Sequence, residues 1–281
     1  MKKIIALVLS LILCVAFFAG CSNSKPTQSD NNQTEVKNDW DYIADKGELI
    51  IGYTIYEPMN FLAADGTLTG FDTEFAQAVC EKLGVKAKFV EINWDTKEFE
   101  LNSKNIDCIW NGFTVNAERK EQVDFSLSYL INKQVIVVKA SNAEKYATID
   151  KMAGASIAAE KESAGQAAIK GNAVLSKNPF TPAEKQTDVL LELKSGTTEI
   201  GVIDYIMALA TVGEGTDYAD LIILENIQLA PEEYAIGLRK NSTATLEKVN
   251  AAINALAADG TLKTIAAKYN LADKLAEGLS K

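Results

Sequence analysis

Asp107-Cys108-Ile109-Trp110-Asn111-Gly112-Phe113-Thr114-Val115-Asn116-Ala117-Glu118-Arg119 is the stretch on which the reading of this chain turns. Residues 108–110 form an apolar run too short for a helix. Asn111 and Gly112 then supply the polar-plus-glycine punctuation expected where a buried strand hands over to its loop. Thr114 and Arg119 follow within reach of that loop. A guanidinium fork beside a hydroxyl and exposed backbone groups suits a carboxylate, which it grips through two parallel hydrogen bonds. The alternative is a structural Arg119, paired with Glu118 or another neighbour.

Upstream, residues 48–53 read as a strand feeding a loop that carries Tyr56, Pro58 and Phe61, and Asp65-Gly66 marks a hairpin turn. A helix follows with Phe75, Val79 and Leu83 on its core stripe and Gly84 as a left-handed cap. Residues 87–92 return as a strand, and Trp94-Asp95 opens a short helix. This alternation of strand and helix implies a parallel sheet with covering helices, in which ligands collect beyond the carboxyl ends of the strands. Tyr56, Trp94 and residues 111–114 all fall just after strand candidates, which proposes one shared crevice.

Downstream, a second alternation runs through strands at 134–139, 155–159 and 199–203 and helices at 163–169 and 189–193. Asp204 ends the last apolar run. At that place a carboxylate is an N-cap for a helix over 205–211, a ligand contact, or both. Residues 234–238 look like a further strand. Two helices close the fold, one with Leu246, Val249, Ile253 and Leu256 on a face and ended by Asp259-Gly260, the other with Leu262, Ile265, Ala266 and Tyr269. The tail from 272 reads as frayed.

A length of 281 residues, 47% of them apolar, lies near the size at which one core divides into two, so two lobes are expected. The chain has no histidine, which excludes Ser/His/Asp and Cys/His nucleophilic sites and histidine metal centres together. Its net charge of -10 repels nucleic acid. Residues 1–20 read as an export signal, with Lys2 and Lys3 before an apolar run too short to span a membrane. Small residues directly before Cys21 resemble the lipobox of bacterial lipoproteins, which makes Cys21 the lipidated residue and residues 21–40, rich in Ser, Asn, Lys, Gln and Asp, a flexible linker. Cys80 and Cys108 are read as buried free thiols in preference to a disulfide.

Together these residues resemble the family-3 extracellular solute-binding proteins, the polar amino-acid receptors of bacterial ABC importers. Residues 70–79 follow the family signature, and Asn111-Gly112-Phe113-Thr114, Glu118-Arg119 and Asp124-Phe125-Ser126 follow its central pattern in order and spacing. The resemblance implies an α/β fold of the periplasmic-binding-protein-like type II, with two α/β lobes and a hinge of two crossings. Lobe 1 is expected at 41–129 plus 231–274, lobe 2 at 130–230, and a tail at 275–281. The family's pattern makes Arg119 the residue for a ligand α-carboxylate, with Thr114 as a second donor. Gly112, through its carbonyl, and Asp204 resemble the groups that hold the α-ammonium, with Asn111 beside them. Tyr56 and Trp94 sit where the family places aromatic rings against the ligand side chain. Ser163 and Ala164 fall where helix amides complete the carboxylate site. Glu160 occupies a side-chain-selecting position, where it neutralises a basic ligand, accepts from an amide, or is solvated or internally paired.

Physical reasoning agrees with the resemblance, because a zwitterion needs a cation for its carboxylate and an anion for its ammonium, and Arg119 and Asp204 supply the pair. The expected function is therefore capture of a free, polar, neutral or basic L-amino acid by a lipid-anchored extracytoplasmic monomer that delivers it to an ABC permease. No catalysis, cofactor, metal or nucleic acid is expected. The alternatives are an enzyme similar to the cyclohexadienyl dehydratases, with Glu160 or Glu162 as its acid, and a surface amino-acid sensor.

Overall fold

A computed structural model describes residues 38–279. The expected signal peptide, the lipidated Cys21 and the linker up to residue 37 lie outside the described residues. The first described element corrects the linker's end. Asn38 caps helix α1 (Asp39–Lys46), accepting from the Asp41 amide while the Asp41 side chain accepts from the Asn38 amide, and Gly47 closes the helix at φ 71. Polar composition suggested a leash through residue 40, yet Trp40 packs on the core and Ile43 is fully buried. A reciprocal cap and two apolar side chains are what order this segment.

Strand β1 (Glu48–Tyr53) leads to the hairpin of β2 (Phe61–Leu62) and β3 (Leu68–Thr69), whose turn is held by the Thr67 amide donating to Asp65 Oδ1 at 2.9 Å. Helix α2 (Phe71–Leu83) buries Phe71, Phe75 and Val79 and ends at Gly84 with φ 72, as its periodicity and glycine anticipate. Then come β4 (Lys86–Glu91), α3 (Lys97–Asn102), β5 (Cys108–Ile109), α4 (Ala117–Gln122) and β6 (Val123–Phe125). The second lobe holds β7 (Leu130–Lys139), β8 (Ile157–Glu160), α5 (Ala164–Gly171), β9 (Phe180–Ala183), α6 (Gln186–Ser195), β10 (Ile200–Asp204), α7 (Tyr205–Thr211) and β11 (Leu221–Tyr234). The chain then returns through β12 (Gly237–Arg239), α8 (Thr243–Ala258) and α9 (Thr261–Lys268).

The first sheet has the order β4-β1-β5-β12-β6 and the second β11-β7-β10-β8-β9. Both are mixed where the alternation predicted parallel strands. In the first, β12 comes back from the second lobe and enters antiparallel between β5 and β6. In the second, β7 runs antiparallel to both β10 and β11. The strand expected over 234–238 is divided: Tyr234 ends β11 in one sheet and Gly237 begins β12 in the other. An apolar run that crosses between lobes reads as one strand by composition alone. Residues 231–234, expected in lobe 1, pair with β7.

The chain passes between the sheets twice, side by side. The Ser126 amide donates to the Ile236 carbonyl at 3.0 Å, and the Tyr129 amide to the Tyr234 carbonyl at 2.8 Å. As far as residue 279 the tail is not frayed, since Leu275 bridges to Leu130, the Ala276 amide donates to the Tyr129 carbonyl at 3.0 Å, and Leu279 is buried. Beneath the crossing, Phe75 meets Trp110 edge-on at 5.2 Å and Tyr129 at 5.5 Å. Burying each such ring contributes about 1.5–3 kcal/mol, so the crossing rests on a rigid aromatic floor. Cys80 and Cys108 are free and buried in the same lobe. No helix among the described residues is long and apolar enough to cross a membrane.

Candidate functional site

The carboxyl ends of four strands, two from each sheet, converge on one cavity of ≈ 10 Å³. Trp94 follows β4, and Asn111, Gly112 and Thr114 follow β5. Glu160 ends β8, with Ser163 and Ala164 just beyond it, and Asp204 ends β10. Arg119 enters from α4. All of these line the cavity together with Gln186, so of the residues singled out in the sequence only Tyr56 stands back from it.

On the first-lobe side, Arg119 is 6% exposed and holds only two backbone oxygens, Thr114 at 2.9 Å and Glu162 at 3.4 Å. Its guanidinium stacks 4.5 Å from the Phe113 ring centroid and 5.8 Å from that of Trp94. Pairing with Glu118 is not what positions it: Asn116 caps α4 by accepting from the Arg119 amide, and the aromatic rings aim the side chain. A guanidinium offers five donors, so most of this one remains uncommitted. Burial lowers its pKa, while the fields of Glu98, Glu232, Asp204 and Glu160 work the other way.

Asn111 is structural on its side-chain side, because its amide accepts from Thr54 Oγ1 at 2.8 Å and donates to the Thr54 carbonyl and Asn60 Oδ1 at 2.9 and 2.7 Å. Gly112 stands at φ 57, and a Cβ there would come within 2.7 Å of the Tyr56 ring. Only glycine lets the backbone pass so close. Its amide donates to Asp72 Oδ2 at 2.7 Å, an oxygen that also takes the Tyr129 hydroxyl at 3.0 Å. Burial raises the Asp72 pKa to about 7, despite those hydrogen bonds.

On the second-lobe side, Asp204 stands at the N-cap of α7 but makes no side-chain cap bond. Its Oδ1 instead accepts from Asn132, Gln134 and Tyr234, each at 2.7 Å, and Oδ2 accepts from Gln186. Tyr56 reaches this carboxylate at second hand, its hydroxyl 2.7 Å from that of Tyr234. The expected aromatic wall on that side is thus a hydrogen-bonded relay. Glu160 is 3% exposed with Oε1 buried and without a partner. Burial first, then the charge of Asp204, pushes its carboxyl well above the usual range, against the pull of Lys97 and Arg119. Ser163 caps α5 by accepting from the Gln166 amide at 3.1 Å. Trp94 Nε1 is also buried and unpartnered.

The lobes meet around this cavity. Lys161 pairs with Asp95 and Lys185 with Glu91, each at 2.5 Å, and buried Lys97 donates to the Glu162 carbonyl at 3.3 Å. Arg119 and Asp204 therefore face one enclosed space from opposite lobes.

Gln186, Tyr234, Asn132, Gln134, Glu232 and Lys97 were not singled out by sequence pattern. A signal existed for one pair: Asn132 and Gln134 sit two apart ahead of an apolar stretch, and period two puts both on one face of β7. Gln186 and Glu232 carried no such signal, since Gln186 is placed by the packing of the start of α6 against the tip of β10 and Glu232 by the register of β11 on β7.

Compared with known proteins, the chain matches the bacterial extracellular solute-binding proteins, family 3, over residues 49–272. It is 30% identical over 263 residues to the L-cystine-binding protein TcyJ of Escherichia coli (strain K12), covering 93% of this chain and 94% of that protein. To the L-arginine-binding protein of Pseudomonas aeruginosa it is 29% identical over 253 residues, covering 81% and 89%. Among solved structures, an ABC uptake transporter substrate-binding protein from Streptococcus pneumoniae with bound histidine superposes with a TM-score of 0.75 at 32% identity, covering 83% of this chain and 96% of that one. Holo ArgBP from T. maritima gives 0.71 at 31%, covering 77% and 93%.

Proposed function

Because this chain belongs to the bacterial extracellular solute-binding proteins of family 3, with the two-lobed type II fold of the periplasmic binding proteins, we propose that it captures a free L-amino acid between its lobes and delivers it to the permease of an ABC importer. The observation that carries this reading is the placement of a half-committed guanidinium from one lobe and a carboxylate from the other on a single cavity. Arg119 takes the ligand's α-carboxylate, with Thr114 and the amides at the start of α5 beside it. Asp204 takes the α-ammonium. Charge-assisted bonds in a dry site are the strong ones, and neither end of a zwitterion is satisfied by one lobe alone.

Glu160 favours a polar neutral or basic side chain. Its unpartnered buried oxygen accepts from an amide, imidazole, guanidinium or ammonium, and an arriving cation favours its ionised form, whereas a ligand carboxylate would add one more acid to the site. Cystine-, arginine- and histidine-binding relatives fit that range. A space of ≈ 10 Å³ holds about one water molecule. The lobes therefore part about the two crossings to admit an amino acid and close over it, and the closed form is the one the permease receives. Lipid on Cys21 holds the protein at the outer face of the cell membrane.

The test is isothermal titration of the ligand-stripped protein with the common L-amino acids. Saturable binding of at least one polar neutral or basic member is expected, with a thermal shift that rises with its concentration. Absence of binding by every α-amino acid overturns the reading.

A further inference from the structure

Asp204, which lines the cavity, has a second carboxylate, Glu232, directly beside it on the second lobe. Asp204 and Glu232 flank β7, opposite Gln134 and Asn132 respectively in the sheet register. The same NH₂ groups serve both acids: Asn132 Nδ2 lies 2.7 Å from Asp204 Oδ1 and 2.5 Å from Glu232 Oε1, and Gln134 Nε2 lies 2.7 Å from each. An amide NH₂ has one hydrogen for each acceptor, so the two amides hold the carboxylates side by side. Tyr234 and Gln186 complete the donors around Asp204.

Two carboxylates in one site do not both ionise without a cation between them. Burial first, then the charge of Asp204 and a hydrogen bond that only protonated Glu232 donates to it, raises Glu232 to about 8. Facing the pair from other elements are Arg119 on α4, Glu160 on β8, and Tyr56, joined through Tyr234. Glu232 is half-buried and lines, in place of the cavity that Asp204 lines, a neighbouring one of ≈ 530 Å³ with Thr114, Gln134 and Ala164. Its side of the pair has water within reach.

We propose that Asp204 and Glu232 act as one ammonium-binding unit that holds a single proton until the ligand's ammonium arrives, and that this proton leaves to solvent from Glu232 as the ligand binds. The inference rests on the assignment of Asp204 to the α-ammonium. The ammonium keeps its three hydrogens, the O–H bond of Glu232 breaks, and water takes the proton. Two negative charges then face one positive charge. Affinity is consequently linked to pH: it rises as pH climbs from the ordinary carboxylate range toward the pKa of free Glu232, by up to about tenfold per pH unit, and levels above it.

Titration calorimetry with L-cystine, L-arginine, L-histidine and L-glutamine tests this, run on the wild type and Glu232→Gln at about pH 6, 7, 8 and 9, each in two buffers of different ionisation enthalpy. Below about pH 8 the wild type is expected to release about one proton per ligand more than the variant, whose own count and pH profile report only the ligand's ammonium and, for histidine, its imidazole. A glutamine there retains the oxygen that Asn132 and Gln134 bind, so a purely structural role of Glu232 leaves the proton count unmoved. Saturable binding with the same proton count in wild type and variant overturns this inference and leaves amino-acid capture standing; no binding at all removes both. Carboxyl-carbon NMR of the ligand-free protein tests the shared proton without any ligand: a Glu232 midpoint near 8 supports it, and one in the ordinary carboxylate range, about 4–5, sinks it.

Discussion

Arg239 and Arg119 are both buried in the first lobe, at 7% and 6% exposure, but the protein treats them in opposite ways. Arg239 has its hydrogen-bonding fork filled. Asp39 takes Nε and one terminal nitrogen at 2.9 and 3.1 Å, Asp107 takes that same nitrogen at 3.0 Å, and the Leu101 and Ile106 carbonyls take the other. Asp107 is in turn bound by Lys46 and by the Ile50 amide. Burial works to lower the pKa of Arg239 too, but the hydrogen bonds to Asp39 and Asp107 outweigh it and hold the guanidinium above its ordinary value. Arg119 has two carbonyls, aromatic faces and no such compensation, so its pKa falls. One arginine completes the lobe, and the other keeps uncommitted donors facing the crevice. The distinguishing mark is uncommitted capacity rather than burial or residue type.

The sharpest way to break this contrast is Arg119→Ala. Binding of the preferred amino acid is expected to weaken by three to four orders of magnitude, about 5 kcal/mol, with unfolding free energy changed by less than about 1 kcal/mol. Titration calorimetry and urea denaturation read the two quantities, and retained affinity would take Arg119 out of the site. The mirror experiment is Arg239→Ala, which strands Asp39 and Asp107 and is expected to cost about 3–4 kcal/mol of stability while leaving the dissociation constant of the folded protein unchanged.

Asp72 sharpens the comparison from the acid side, since one oxygen is bonded and Oδ1 is buried without a partner. Its folded pKa of about 7 is raised, so the stability it contributes is fully present below the unfolded carboxylate pKa and is lost as pH rises through about 7. Unfolding free energy should fall across that window, with Asp72 contributing up to about 1.4 kcal/mol per pH unit beside the shares of Glu160 and Glu232, and Asp72→Asn should remove its share of the slope. An unchanged slope in the variant would assign the pH dependence elsewhere. The smallest effect expected is that of Glu160→Gln, a gain of about 1 kcal/mol in ligand-free stability as the cost of holding a carboxyl protonated in the dry crevice is removed. It should come with a lost preference for basic over neutral ligands, read in a thermal-shift panel. A variant with the wild-type ranking of ligands would show that Glu160 does not select the side chain.

Much of this was legible in one dimension. Glycines at 84, 112 and 260, the apolar stripes of α2 and α8, and the spacing from Asn111 to Arg119 are local patterns, and the strands and helices they imply are present where expected. Local patterns failed where the determinant lies far along the chain. The stretch over 234–238 reads as one strand because composition does not register a passage between sheets. Asn38 to Trp40 reads as linker because the contacts that hold Trp40 come from the far end of the chain, among them Lys248 on the exposed face of α8, whose ammonium lies 5.1 Å from its ring.

The chain's own letters determined which kinds of chemistry were open to it: a histidine-free acidic protein, an arginine following a strand-end loop, and an acid at the tip of a later strand. Only the tertiary structure decided that these two charges share a cavity, that Asn111 is committed to its own lobe, and that Asp204 has Glu232 as a neighbour through the amides of β7. The reason is physical. Residue type sets what a group can donate or accept, and short-range periodicity sets its face. Which partners consume that capacity depends on sheet register and on contacts between positions tens of residues apart.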